Sequence, residues 1–418
     1  MSFPSYPAYK DSGVAWLGEV PAHWEIVPLK RLLEIQNGAD HKHIEQDEGY
    51  PVIGSGGPFA YASDYLYDGE SVLLGRKGTI DKPLYVTGKF WTVDTMYWSR
   101  LQPGTNGRFA YYAALTIPFS FYSTSTALPS MTKSVLGAHL VAFPTEAEQT
   151  AIATFLDRET TKIDALVAEQ ENLIGLLTEK RQAVISHAVT KGLDPSVPMK
   201  DSGVEWLGEV PEHWVVKPLG TLAHVIQTGP FGSQLHSDEY VEDATPVINP
   251  SNIIDGQLCP DPLSTVSDEV VARLAHHKLY AGDIVLGRRG EMGRCAFVNQ
   301  TQTGWLCGTG CLKIRLSSGG LPEFVCHYLA TETIKQYLSL QSVGSTMENL
   351  NTQILSRVPI PVPDVTEQAE ICEALTEQLE VLDALTSEAV IGVQLLQERR
   401  TALISAAVTG QIDVRALI

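Results

Sequence analysis

Two short segments place a pair of cations between glycines directly after an apolar run. The residues are Gly75, Arg76, Lys77 and Gly78 in the first segment and Gly287, Arg288, Arg289 and Gly290 in the second, which Arg294 follows. Glycines allow close approach of a backbone, and arginine or lysine can bind a phosphate or the edge of a guanine. These segments are the best candidates for DNA contacts, and a solvated turn is the plainer alternative.

A second set of candidates lies in two polar segments, 125–133 and 344–353, each of which precedes a long run with helical periodicity. The side chains able to hydrogen-bond DNA are Thr126, Ser130, Lys133, Ser345, Asn349, Asn351 and Gln353. The alternative is that these segments cap the domain. A third segment, QTGPFGSQ at Gln227–Gln234, is interpreted first as structural and second as support for a loop at a DNA groove.

The motifs of common catalytic sites are missing from the sequence. There is no GxxxxGK[ST] phosphate loop and no GxSxG nucleophile elbow, and Asn249-Pro250 lacks the aromatic residue of an adenine methyltransferase motif. No carboxylate pair with a following lysine is spaced for a nuclease site. Cys307 and Cys311 have no second pair to complete a zinc site, so we expect reduced, buried thiols. The sequence predicts a non-catalytic chain with no metal.

The 418 residues carry a net charge of −19, which opposes binding to nucleic acid as a whole. The acidic excess is greatest in the helical segments: residues 363–418 hold 10 acidic and 3 basic groups (−7), whereas residues 1–143 hold 13 and 11 (−2). A DNA reader with this balance needs local basic loops and a partner that supplies further positive charge. With no export signal and no run long enough to cross a membrane, we expect a cytoplasmic protein without a membrane partner.

An internal repeat determines the expected architecture. The segment DSGVAWLGEVPAHW at Asp11–Trp24 returns at Asp201–Trp214 with twelve of fourteen positions identical. Glu148-Gln149 returns as Glu367-Gln368, so the offset grows from 190 to 219 and the middle of the second half is longer and divergent. A common scaffold that presents two different recognition surfaces explains this pattern. His23 and His213 are interpreted as packing or capping residues and the four tryptophans of the repeat as core anchors, although a shared partner surface fits the repeat equally well.

Each half ends in a run with the periodicity of one long amphipathic helix. The apolar stripe of the first run is Ile152, Leu156, Ile163, Leu166, Leu173, Leu177 and Val184, and that of the second is Ile371, Leu375, Leu382, Leu385, Leu396 and Leu403. Thr145 with Glu148 and Asp364 with Glu367 predict capped starts, and Gly192 and Gly410 predict the stops. A helix of about 45 residues is ~68 Å long, and two such stripes are best buried against each other.

These features predict a mixed α/β (α+β) chain with two tandem globular domains, two long helices in an antiparallel coiled coil, and a pseudo-two-fold repeat. The expected boundaries are residues 1–143 and 193–362 for the domains and 144–192 and 363–418 for the helices. Strands are expected at Pro51–Ala62, Ser71–Gly78, Thr245–Ile254 and Asp283–Gly290.

The chain resembles the specificity (S) subunit of type I restriction-modification systems over nearly its whole length. The resemblance rests on WLGEVP followed by HW in both halves, the LLGRKG and VLGRRGEMGR loops, the PxP and EQ helix starts, and the helix ends KRQAVISHAVTKGLD and ERRTALISAAVTGQID. It implies that each globular domain is a target-recognition domain that reads one half of a split site in double-stranded DNA. The helices would set the gap between the half-sites and hold two methyltransferase (M) subunits, which recruit the restriction (R) subunits.

The resemblance also implies where the chemistry of such a complex resides. Adenine methylation and DNA cleavage belong to the partner subunits, which bind S-adenosylmethionine, ATP and Mg, and no cofactor is expected on this chain. Two other classes remain open. One is the specificity subunit of a methylation-only complex, which would share this sequence logic. The other is a coiled-coil interaction scaffold that binds no DNA, which the acidic charge favours.

Overall fold

The computed structural model describes residues 3–122, 130–231, 234–289, 293–342 and 350–417. The chain divides into two compact units, one made of Met1–Glu171 with Val390–Ile418 and the other of Asn172–Ala389. Each unit therefore combines a globular domain with the start of one long helix and the end of the other. Within the described residues, no helix is long and apolar enough to span a membrane.

The strands of unit 1 are β1 (Tyr9–Asp11), β2 (Glu19–Pro21), β3 (Glu25–Pro28), β4 (Leu33–Asn37), β5 (Glu45–Gln46), β6 (Tyr50–Gly54), β7 (Gly57–Ala62), β8 (Tyr67–Asp68), β9 (Ser71–Gly75), β10 (Leu84–Val86), β11 (Lys89–Thr92), β12 (Met96–Leu101) and β13 (Leu140–Phe143). Its helices are α1 (Gly107–Leu115), α2 (Phe119–Tyr122), α3 (Lys133–Ala138) and the first part of α4 (Glu146–Lys191).

The strands of unit 2 are β14 (Met199–Asp201), β15 (Glu209–Pro211), β16 (Val215–Pro218), β17 (Ala223–Thr228), β18 (Tyr240–Val241), β19 (Thr245–Ile248), β20 (Ile253–Ile254), β21 (Gln257–Leu258), β22 (Thr265–Val266), β23 (Ile284–Gly287), β24 (Cys295–Phe297), β25 (Leu306–Cys307), β26 (Cys311–Leu316) and β27 (Pro359–Val362). Its helices are α5 (Leu219–Leu222), α6 (Asp268–Arg273), α7 (Pro322–Leu329), α8 (Glu332–Ser342), α9 (Thr352–Ser356) and the first part of α10 (Val365–Val408).

The two globular domains share one topology although their central sequences have diverged. A four-stranded antiparallel sheet has the order β10-β9-β12-β4 in unit 1 and β24-β23-β26-β17 in unit 2. A second sheet in each unit contains one parallel pair, β6 with β11 and β19 with β25. The repeated segment forms a hairpin in each unit, β1 with β2 and β14 with β15. The strand that follows this repeated hairpin pairs with the strand that precedes the long helix, β3 with β13 and β16 with β27. The predicted repeat therefore extends through the divergent regions.

The repeated tryptophans divide into a buried pair and a more accessible pair. Trp24 and Trp214 are fully buried in the cores of their units, as predicted for anchors. The prediction is wrong for Trp16, which is 46% exposed. Its indole instead lies flat on the His139 ring, with the centroids 5.1 Å apart, and burial under this layer lowers the pKa of His139 to about 4.

The long helices pair within each unit, as the predicted antiparallel coiled coil requires. In unit 1, Arg400 Nε donates to Asp164 Oδ1 at 2.7 Å, and in unit 2, Arg181 Nε donates to Asp383 Oδ1 at 2.9 Å. Farther along α4 in unit 2, a Cβ on Gly192 would lie 3.6 Å from Glu367 Oε1 near the start of α10, so the two helices run antiparallel there. The core of unit 1 takes Ile152, Leu156 and Ile163 from α4 and Leu403 from α10, and that of unit 2 takes Leu177, Ile371, Leu375 and Leu382.

The predicted stripe is wrong at three positions near the middle of the helices. Leu166 is 46% exposed, Leu173 41% and Leu385 45%. A pair of helices has a narrow shared seam, and residues at its margin remain in solvent unless a further element covers them. The stripe therefore contains both the seam between the helices and an uncovered apolar margin.

Candidate nucleic-acid interface

In unit 1 the basic segment lies at one end of the four-stranded sheet. Gly75 is the last residue of β9 and pairs with Met96 of β12. The next two amides, of Arg76 and Lys77, donate to the Thr95 carbonyl oxygen at 2.8 and 3.2 Å. A Cβ on Gly75 would lie 2.4 Å from the Thr79 carbonyl oxygen, so the tight turn requires glycine here. The fold thus holds the two cations at a sheet edge rather than in a free loop.

The same turn contacts the second predicted segment. The Met131 amide donates to the Arg76 carbonyl oxygen at 3.1 Å, and Lys77 and Ser130 form an isolated antiparallel bridge. Thr132 then caps α3 by accepting from the Val135 amide at 3.3 Å, so that exposed Lys133 begins that helix. The structure therefore brings Arg76, Lys77, Ser130 and Lys133 together, which their separation in sequence did not reveal.

The Arg76 side chain is half-buried and held from two sides. Its Nη1 donates to the Asp94 carbonyl oxygen at 3.2 Å, and its guanidinium lies 5.9 Å from the centre of the Tyr97 ring. The Lys77 side chain is exposed. A fixed guanidinium can recognise a base edge with defined geometry, whereas an exposed lysine suits a phosphate.

Unit 2 repeats this arrangement with different side chains. Arg288 follows Gly287 at the end of β23, and its amide donates to the Gly310 carbonyl oxygen at 2.9 Å. The Leu350 amide donates to the Arg288 carbonyl oxygen at 3.0 Å, as the Met131 amide does to Arg76. Asn351 then caps α9 by accepting from the Ile354 amide at 2.9 Å, and exposed Gln353 lies in the first turn. The capping interpretation of this segment therefore holds for Asn351.

The predicted third arginine of unit 2 joins the same cluster. The Gly287 amide donates to the Arg294 carbonyl oxygen at 2.8 Å, and the Arg294 side chain is exposed. Burial and the neighbouring Arg289 guanidinium both lower the pKa of Arg288, because each disfavours its charged form. An anion at this edge would relieve that repulsion. Thr126, Ser345 and Asn349 lie outside the described residues.

The glycine-rich segment at 227–234 serves the structure first, as predicted. A Cβ on Gly229 would lie 1.8 Å from the Gly308 carbonyl oxygen, so β17 and the start of β26 meet only because this residue is glycine. Sequence reasoning missed the neighbouring Phe231, whose side chain is 60% exposed, and Phe59 in unit 1, which is 59% exposed. Solvent exposure of a phenylalanine has no signal in local sequence.

A glutamate near the start of each long helix connects the helix to its globular domain. In unit 1, buried Glu148 accepts from Trp24 Nε1 at 3.3 Å through Oε1, which lies 2.8 Å from His23 Nε2. In unit 2, partly exposed Glu367 contacts Trp214 and His213 in the same way at 3.0 and 2.8 Å. Both histidines remain about half exposed and contact the helix start, which fits the packing or capping role predicted for them. Burial raises the pKa of Glu148, but hydrogen bonds from His23, Thr145 and Trp24 outweigh it and leave the pKa lowered.

The first long helix begins with both hydrogen bonds of the predicted capping box, and the second with one of them. Thr145 and Glu148 form both bonds of a capping box, at 3.2 and 3.4 Å. Asp364 Oδ1 accepts from the Glu367 amide at 3.0 Å, while the Glu367 carboxylate is directed to Trp214. Gly192 and Gly410 both have φ of +76° just after the helix ends, which confirms the predicted stops.

Cys307 and Cys311 are buried, and burial raises the pKa of Cys307 to about 12 and that of Cys311 further. Among the described residues, no group of three or more potential ligands is placed to hold a metal ion. Such thiols remain protonated, which is typical of small side chains in a core.

The family model of the type I restriction modification DNA specificity domain matches residues 21–174 and 211–389. The chain belongs to this family. The type I restriction enzyme EcoBI specificity subunit of Escherichia coli is 22% identical over 371 residues, 83% of this chain and 77% of that protein. The MjaVIII specificity subunit of Methanocaldococcus jannaschii is 22% identical over 374 residues, 84% and 79% of the two chains.

Solved structures of specificity subunits show the same fold. The HsdS subunit of Thermoanaerobacter tengcongensis matches with a TM-score of 0.51 and 15% identity, over 94% of this chain and 98% of that one. A chain from a structure titled "Structural basis underlying complex assembly and conformational transition of the type I R-M system" matches with a TM-score of 0.65 and 16% identity, over 93% and 98% of the two chains. This chain is therefore a type I specificity subunit in family and in fold.

Proposed function

We propose that this specificity subunit reads a bipartite site in double-stranded DNA, with residues 1–143 and 193–362 each recognising one half-site. The observation that carries the proposal is the repeated sheet edge, where glycine-flanked cations meet the segment that precedes a capped helix. The backbone arrangement is the same in both units, whereas the side chains differ. One scaffold with two side-chain sets is what reading two different half-sites requires.

The acidic surplus of the chain is compatible with DNA binding because it is concentrated in the helical segments. Residues 144–199 have a balance of −4 and residues 363–418 of −7, out of a total of −19, while residues 200–362 carry −6. Repulsion between this surface and DNA weakens over a Debye length of about 8 Å at physiological salt. A basic partner that covers the helices would also neutralise it.

The uncovered margin of the long helices supports the proposal that two methyltransferase subunits dock there, one for each unit. In unit 1 the exposed apolar residues are Leu166, Val390, Ile391 and Leu395, and in unit 2 they are Leu173, Leu176, Val381 and Leu385. An exposed apolar helix face of this kind fits an amphipathic helix of a partner. The presence of such a face in each unit fits two copies of one partner.

Specificity subunits of this family are in general non-catalytic. We therefore assign adenine methylation and DNA cleavage to the methyltransferase and restriction subunits, with the restriction subunits attached through the methyltransferase. S-adenosylmethionine, ATP and Mg would bind those partners. A methylation-only complex would use this chain in the same way and would differ only in its neighbours.

The decisive experiment is to co-express the chain with the methyltransferase encoded beside it and to map adenine methylation across a test genome. We expect one split motif with a fixed gap. Arg76→Ala with Lys77→Ala should weaken or relax one half-site, and Arg288→Ala with Arg289→Ala the other, at a cost of ~1–3 kcal/mol for each lost bidentate base contact.

Lys10→Ala and Lys200→Ala are the matched controls, since both are exposed lysines at equivalent positions of the repeated hairpin and lie on β1 and β14 rather than on the strands that lead into the basic turns. They should leave the motif unchanged. A complex that forms but methylates nothing, or methylates without sequence preference, would reject the proposal in favour of a coiled-coil scaffold that binds no DNA.

A further inference from the structure

Phe59 is an exposed aromatic residue at an irregularity of strand β7. The pairing of β7 with β6 shifts register there, so that Pro58 and Ala60 have partners on β6, and the Phe59 side chain is 59% exposed. Tyr61, which pairs with Gln46 of β5, is 49% exposed. The Phe59 ring lies over Gly54, where a Cβ would be 3.3 Å from Cε1, and edge-on to His41 with the centroids 5.3 Å apart. The ring is thus positioned but largely in solvent.

Contacts connect Phe59 to the basic turn of unit 1. The Val93 amide donates to the carbonyl oxygen of Ile53, the residue before Gly54, at 3.3 Å. The next residue after Val93, Asp94, accepts the hydrogen bond from Arg76 Nη1 at 3.2 Å through its carbonyl oxygen. Phe59 is therefore connected to the candidate DNA-reading arginine through Gly54, Val93 and Asp94.

In unit 2 an exposed phenylalanine is also connected to the basic turn, but it lies in a loop rather than on a strand. Phe231 is 60% exposed, and its amide donates to Gln234 Oε1 at 2.8 Å. It lies two residues after Gly229, whose amide donates to the Cys311 carbonyl oxygen at 2.9 Å. Gly310, next to Cys311, accepts from the Arg288 amide. Each recognition domain thus has an exposed phenylalanine close to its arginine.

The two phenylalanines lie on different elements of their domains, and this difference favours DNA over a protein partner as the molecule that contacts them. A partner that binds both units alike would meet equivalent surfaces, yet Phe59 comes from the second sheet of unit 1 and Phe231 from the loop after β17 of unit 2. Side chains that differ between two domains of one topology are where two different half-sites can be distinguished. Phenylalanine contacts bases through the thymine methyl group or by packing against a base step.

We propose that Phe59 and Phe231 are specificity-determining residues that contact bases, each in the half-site read by the adjacent basic turn. The inference rests on the proposed function and adds an apolar contact to the cationic ones. It assigns a reading role to the glycine-rich segment that otherwise serves only to bring β17 and β26 together.

The test uses the complex of the full chain with its methyltransferase and compares Phe59→Ala, Phe231→Ala and the control Leu263→Ala, a 64% exposed residue of unit 2. Each phenylalanine variant should lose about tenfold or more in discrimination at one base position of its own half-site. The other half-site is the internal control and should be unchanged, as should both half-sites in the Leu263 variant. Unchanged thermal unfolding would show that all three variants remain folded.

Two outcomes would overturn the inference, and they can be told apart. If the wild-type complex reads a split motif and both phenylalanine variants read it unchanged, the phenylalanines do not contact bases and the proposed function stands. The same conclusion follows if the variants lose only the yield of complex. If the wild-type complex reads no split motif, the inference and the proposed function fail together.

Discussion

At the scale of single residues, one buried glutamine in each unit joins the recognition domain to its long helix. Gln149 Nε2 donates to the carbonyl oxygens of Gly104 and Pro144 at 3.1 and 3.0 Å, and its Oε1 accepts from the Asn106 amide at 2.9 Å. Gln368 repeats this with Gly319, Pro363 and the Leu321 amide at 3.3, 3.0 and 2.7 Å. Both glutamines are fully buried. The EQ pair of the repeat is therefore a structural junction.

Gln368→Leu should destabilise unit 2, because a leucine leaves those three backbone groups without their partner. The expected loss is about 3 kcal/mol or more, given ~1–3 kcal/mol for each of the three backbone groups left without a hydrogen bond. Urea unfolding measures it, and hydrogen exchange at the Leu321 amide should accelerate. Gln378→Leu, at an exposed position of the same helix, is the matched control. Equal stability of the two variants would contradict the junction role.

At the scale of elements, the glycine after each long helix contacts the tryptophan of the repeated hairpin. Gly192 lies against Trp214 in unit 2 and Gly410 against Trp24 in unit 1. In unit 1 this contact joins the last segment of the described chain to the first, since Tyr9 Oη donates to the Gly410 carbonyl oxygen at 3.1 Å and the Asp413 amide to that of Pro4 at 2.7 Å. The helix ends are thus part of the domain cores.

Gly410→Ala should destabilise its unit more than Gly192→Ala does. Both positions have φ of +76°, where a side chain costs roughly 1–2 kcal/mol. A Cβ at Gly410 would also lie 2.3 Å from Pro21 Cδ, whereas the nearest atom to a Cβ at Gly192 is Trp214 Cζ2 at 3.4 Å. Hydrogen exchange, followed separately in each unit, measures the difference. An equal loss in the two units would show that the contact with Pro21 relaxes at no cost.

At the scale of the whole molecule, the proposed gap between the half-sites depends on the two long helices. Within each unit an ion pair joins them, Asp164 with Arg400 in unit 1 and Arg181 with Asp383 in unit 2. These surface pairs contribute about 0–1 kcal/mol each, so the alignment of the helices depends mainly on their apolar seam.

Insertion of one heptad into both α4 and α10 should lengthen the gap and leave the bases of each half-site unchanged. One heptad adds about 10 Å of helix, which corresponds to roughly three base pairs of DNA. Methylation mapping reads the gap and the bases in one experiment. An insertion in α4 alone is the control, because it separates Asp164 from Arg181 without separating Arg400 from Asp383. Changed half-site bases, or an unchanged gap, would show that the helices are not a ruler.

The sequence by itself determined the repeat, the long helices with their starts and stops, and the family. These features are local or periodic: a helix cap needs residues three apart, a stop needs one glycine, and the repeat needs only comparison of the chain with itself. The four expected strand regions also hold, since each overlaps at least one strand: β6 and β7, β9, β19 and β23. The cationic turns were found because glycine and arginine at fixed spacing are a local pattern.

Only the tertiary structure decided which distant segments meet and which side chains remain in solvent. Met131 contacts Arg76 and Leu350 contacts Arg288, although the two residues of each pair are far apart in the sequence. These contacts form because the chain returns to the same end of the sheet. Leu166 and Leu173 follow the helical period of buried residues, yet they are exposed because the facing helix covers only one seam. Periodicity defines a face of an element, but burial of that face depends on what packs against it.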